Sequence, residues 1–133
     1  MSRLVNFGLG EVCDRVSILA LKILYGESKS VDVQHFRNER AALMVKVLTR
    51  DGGRWIEYYS DLAAVNAAIW QAEEMIRGRR EAITHTEDEG ELAAHHYQAG
   101  ALGLQIATLN DRRAALIQQI NGFVGDDKAV EKV

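Results

Sequence analysis

The chain predicts an all-α fold, an antiparallel bundle of about four helices, on three observations. It has no proline in 133 residues. Aromatic residues are only 7% of it while Ala, Leu, Ile, Glu, Gln and Arg are plentiful, a composition that favours helix. Apolar residues also recur at the three-and-four spacing of a helix face over most of its length. The size is that of a single helical domain over residues 1–133, enough to bury one core without disulfides or metals.

The first helix is expected over about 11–24, after the loop Phe7-Gly8-Leu9-Gly10 and before Tyr25-Gly26. Val12, Val16, Leu19 and Ile23 form its stripe. Ile18, Leu21 and Leu24 widen that stripe until the helix is apolar nearly all round. Such a helix belongs in the middle of a bundle or in an interface between copies. The two glycines of GLG could turn backbone N–H groups toward an anion, but the lysine and the strand-loop-helix setting of a phosphate loop are missing. Cys13, the single cysteine, lies in an apolar run and reads as a small buried hydrophobe.

A second helix over about 33–49, capped by Ser30 or Asp32, turns Phe36, Leu43 and Val47 inward. Asp51-Gly52-Gly53 then ends it, and so short a connection makes the second and third helices antiparallel neighbours. Two long helices follow, over about 54–81 and 88–122, forming a coiled-coil-like hairpin. Thr86 and Glu89 have the form of a capping box for the last of them. Gly100 and Gly103, inside that helix, each cost about 1 kcal/mol against alanine. They predict a close helix approach or a kink. Residues 125–133 form a charged tail expected to fray.

The third helix organises the rest. Trp55, Tyr59, Leu62, Ile69 and Ile76 define its apolar stripe, and Asn66 and Glu73 fall on that same stripe. On the last helix Arg113 continues the stripe of Leu102, Ile106 and Leu109, with Asn110 beside it. Laid antiparallel, the two helices bring Asn66 and Glu73 toward Asn110 and Arg113, with Glu73 the natural partner of Arg113. Trp70 is expected to fill the core and lend its indole N–H to this network. One reading is a buried polar lock on helix register. The other pools these residues with Glu11, Asp14 and Arg15 of the first helix and with Arg77, as a pocket for a dianionic or nucleotide substrate. A divalent cation, Mg2+, enters only under that second reading, and no other cofactor is expected. The run EEMIR carries arginine where helical nucleotide pyrophosphatases repeat a third glutamate.

No resident metal site is expected: His95 and His96 point about 100° apart on a helix. A net charge of −3 and a pI near 5.8 give no reason to expect nucleic acid or an anionic membrane as partner. Apolar runs such as Ile18 to Leu21 are far too short to cross a bilayer, and no leader pattern opens the chain. A cytoplasmic location follows as the expectation.

Three segments, GEVCDRVSILALKI, VNAAIWQAEEMIR and LNDRRAALIQQIN, resemble the signature segments of a family of small uncharacterised bacterial proteins known only as a domain of unknown function. The matching polar positions are Glu11, Asp14, Arg15, Ser17, Asn66, Trp70, Glu73, Glu74, Arg77, Asn110, Arg113 and Asn121. Ile69 replaces a usual leucine, and Glu74 a frequent aspartate. The resemblance implies an all-helical fold and a bacterial, cytoplasmic setting; some relatives stand beside or are fused to sugar-transfer proteins. It implies no activity. The expectation is therefore a helical scaffold or accessory protein that self-associates, a dimer by preference, through its first helix, with a further protein partner possible. The alternative is a small all-α enzyme or ligand-binding protein for a phosphorylated or nucleotide-sugar substrate.

Overall fold

A computed structural model describes residues 8–50 and 53–125. Four helices follow one another: α1 (Leu9–Ser28), α2 (Gln34–Leu48), α3 (Trp55–His85) and α4 (Glu89–Val124). No strand occurs among the described residues. Asp51 and Gly52, on which the expected turn rests in part, and most of the tail lie outside the described residues.

The two long helices form the expected antiparallel hairpin, closed by residues 86–88. At 1.5 Å per residue their 31 and 36 residues span about 46 and 54 Å. The cap is not the expected one. Asp88 accepts the Glu91 N–H at 2.9 Å and starts α4, while the Thr86 hydroxyl turns back to the Ala82 carbonyl at 2.6 Å. An aspartate in extended backbone next to the helix wins over a threonine two residues earlier.

α1 lies diagonally across this hairpin. Its start meets α4, where Gly10 bonds Asn121, and its end meets α3, where Tyr25 stacks on Trp70 with centroids 5.2 Å apart. α2 packs chiefly on α1, not on α3 as the short connection suggested. The reason is visible in α1 itself. Because that helix is apolar on several sides, it serves as the central layer and takes α2, α3 and α4 at once.

The core sits where all four helices overlap. Leu9, Val12, Cys13, Val16 and Leu19 of α1 meet Leu43 and Val47 of α2, Trp55 and Leu62 of α3, and Leu116 and Ile120 of α4. Each fully buried leucine or isoleucine among them contributes roughly 1.5–3 kcal/mol. α1 thus spends most of its apolar surface inside the molecule, which closes much of the route by which it was expected to pair with another copy; Leu24 stays outside.

α1 also runs past Tyr25-Gly26 to Ser28. Gly26 is needed there for space, since a Cβ would lie 2.5 Å from Val33 Cγ1. The reversal comes at Ser30, whose φ of 58° is left-handed. Val33, and neither of the two expected caps, takes the N-cap position of α2 without a side-chain bond, while Asp32 just before it accepts the Gln34 N–H at 3.0 Å.

Candidate functional site

Asp14 is the hub of the polar interior. On α1 it stands three residues before Ser17, so both face the same way. The Ser17 hydroxyl donates to the Asp14 carbonyl at 2.8 Å. From α3, the Asn66 amide donates to Asp14 Oδ1 at 2.9 Å and to Ser17 Oγ at 2.6 Å. From α4, Arg113 closes a two-pronged pair, Nε to Oδ1 at 2.8 Å and Nη2 to Oδ2 at 2.5 Å. Three helices therefore meet on one carboxylate.

Burial sharpens the consequence. Asp14, Ser17 and Asn66 are all buried, and the Arg113 side chain is one-third exposed. A buried carboxylate without partners would cost several kcal/mol, and here it accepts three charge-assisted or amide bonds. Its hydrogen bonds hold Arg113 above its ordinary pKa against the effect of burial, and the charges of Asp14 and Glu73 add to the rise.

A second polar contact lies at the start of α1. Asn121 Oδ1 accepts the Gly10 N–H at 2.7 Å, and its Nδ2 donates to Glu11 Oε1 at 2.9 Å. The side chain of α4 thus caps α1 from outside, in the place a helix N-terminus would offer an anion. The glycines make this approach possible. A Cβ on Gly8 would lie 2.3 Å from Asn121 Oδ1, and one on Gly10 would lie 2.2 Å from the Ile117 carbonyl oxygen. The GLG loop is therefore a helix-packing device.

The remaining candidates disperse. Glu73 is exposed and makes no hydrogen bond to Arg113, which it reaches only through its field. The expected Glu73–Arg113 pair is replaced by Asp14–Arg113, because the carboxylate of α1 lies within bonding distance. Asn110 is exposed, since α1 covers α4 only from about Arg113 onward. Arg77 pairs with Glu74 at 2.6 Å on the outer surface of α3. Trp70 is half-buried against Tyr25, and its buried Nε1 has no partner, so the indole does not join the network. Arg15 instead ties α1 to α2 through a fork to Glu39 at 2.7 and 2.9 Å, which holds Glu39 below the ordinary carboxylate value.

Asp14 as hub, with Ser17 as its second contact to Asn66, was not foreseen. The signal was available: an aspartate and a serine one turn apart in an otherwise apolar helix. Asn121 could have been found the same way, next to Ile120 on the buried stripe.

Little in this interior is reactive. Cys13 is fully buried, and burial first, with the Asp14 charge second, pushes its thiol up to about 12. His95 accepts from Arg79 at 3.2 Å through Nδ1, the only role a ring nitrogen can take toward a guanidinium. Among the described residues no three His, Cys, Asp or Glu side chains come together as metal ligands, and no helix is long and apolar enough to cross a membrane.

No protein-family model matches the chain, nor does any curated protein or any solved structure.

Proposed function

We propose that this protein is a helical interaction module that associates with itself and serves as a scaffold or accessory protein. One observation carries the reading. The polar cluster turns its bonding capacity inward, with Asp14 accepting from Arg113 and Asn66, while the free surface of the molecule carries large apolar side chains. Buried polar groups satisfied by one another fix helix register. Exposed Met75, Tyr97 and Leu104 on the hairpin offer surface to another molecule.

The projecting hairpin supports the same reading. Beyond Trp70, where α1 is near its end, α3 and α4 continue, among the described residues, with only each other for company. Seam residues such as Ile76, Leu102 and Ile106 are only half-buried there. A two-helix arm with an apolar seam gains stability when a further surface covers it. On the resemblance drawn from the three signature segments, the setting would be bacterial and cytoplasmic, in service of sugar-transfer proteins.

Sedimentation velocity on the full chain, with a thermal-shift screen against magnesium, nucleotides and sugar nucleotides, tests the proposal. An oligomer whose midpoint none of these ligands moves is the expected result. A monomer stabilised by one of them would overturn it, since a ligand at a hundred times its Kd adds about 2.7 kcal/mol.

A further inference from the structure

The hairpin has one face that α1 does not touch. Asn66 on α3 and Asn121 on α4 mark the side toward α1. At 100° per residue, Met75 and Arg79 on α3 and Gln98, Ala101 and Gln105 on α4 lie toward the opposite side. There they line, with Tyr97 and Leu102, a shallow groove of about 310 Å³. Met75 is 55% exposed and Tyr97 78%. Above and below the groove the face carries small residues, Ala68 on α3 and Ala94 and Ala115 on α4, which let another helix pair approach closely.

Charge along the arm identifies the occupant. Residues 81–91, around the tip, hold Glu81, Glu87, Asp88, Glu89 and Glu91 and no cation. From the groove at Met75 and Ala101 to the tip is about 12 residues, roughly 18 Å of helix. The same distance in the other direction ends at Arg112. That arginine lies on the same open face, is exposed, and makes no ion pair among the described residues. An acidic tip and an unpaired arginine equidistant from an apolar groove is the pattern of a self-complementary contact, in which a two-fold axis brings each to the other. From tip to Arg112 two helices side by side present a strip roughly 37 Å by 20 Å, about 700 Å². A stable interface takes about 800 Å² from each partner.

Resting on the self-association reading, we infer that two copies of this chain pair back to back and antiparallel through this face. The axis passes at the level of Met75 and Ala101, and the acidic tip of each copy lies beside Arg112 of the other. Tyr97 of each copy enters the groove of its partner beside Met75, where ring and thioether sulfur attract.

Sedimentation velocity on the full chain and its variants tests this. Wild type is expected to be a dimer at micromolar concentration. Met75→Glu with Tyr97→Glu is expected to weaken pairing at least tenfold while far-UV circular dichroism stays unchanged, because both side chains are exposed. Arg112→Glu and Glu91→Arg are each expected to weaken it, and their combination in one chain to restore it. The two positions are 21 residues apart on α4, roughly 32 Å, so the rescue has to act between copies. A dimer untouched by the groove variant and lost with Leu24→Glu would overturn this face and leave self-association standing. A monomer for wild type at about 100 μM would overturn both. Failure of the charge swap to restore pairing would overturn the antiparallel arrangement.

Discussion

Arg113 grips Asp14 with two hydrogen bonds, 2.8 and 2.5 Å long, across 99 positions of the chain. The pair joins α4 to α1, and Asn66 adds α3 to the same carboxylate. An apolar interface can slide by a turn at modest cost; one with a fixed carboxylate cannot, because a shift strands a buried charge. The cluster therefore sets how far along the hairpin α1 lies. That in turn decides where the arm emerges uncovered.

The external cap on α1 gives a first prediction. Asn121→Ala removes the acceptor for the Gly10 N–H and the donor to Glu11, and should cost about 1–2 kcal/mol in urea unfolding. Gly10→Ala should cost about 2 kcal/mol or more, because its Cβ would meet the backbone oxygen of Ile117, which cannot rotate away. Equal tolerance of both would mean that α1 does not enter against α4.

The glycines of α4 give a second. Gly100 and Gly103 have nothing within 4 Å of an added Cβ, so the expected close approach within the chain is absent, and α4 continues unbroken through both. Nothing in the fold explains them. Replacing either by alanine should raise stability by about 0.5–1 kcal/mol, read as a higher unfolding midpoint. Destabilisation would show a contact at these positions that the isolated chain lacks.

Cys13 gives a third. With its thiol fully buried and pushed up to about 12, it should react with a disulfide reagent at pH 8 only as fast as the protein opens. Urea near the unfolding midpoint should speed the reaction by orders of magnitude. Rapid labelling of the native protein would place the α1 helix outside the core.

Much of this could be read from residue pattern. The hairpin and its approximate ends follow from the period of Trp55, Leu62 and Ile69 and of Leu109, Leu116 and Ile120, all on faces that stay apolar. Asn66 and Arg113 were legible as inward polar residues for the same reason. Glu73 and Asn110 fit the pattern and fail because a stripe is buried only where a third helix lies over it. Glu73 lies almost a turn beyond Trp70, which already meets Tyr25 near the end of α1, and Asn110 lies on the open side of Arg113. Periodicity gives the direction a side chain faces along one helix. It carries no information on how far a neighbouring helix reaches, and that length, with the diagonal course of α1, separates the four expected partners.

The most direct test of the account is a double-mutant cycle on Asp14→Leu and Arg113→Met, read by urea unfolding. Arg113→Met alone should cost about 2–3 kcal/mol, reduced from the value for a wholly buried pair because Arg113 is one-third exposed. The double variant, which leaves no stranded carboxylate, should be more stable than Arg113→Met by itself. Costs that simply add would contradict the account, for they would mean that these two side chains do not meet inside the protein.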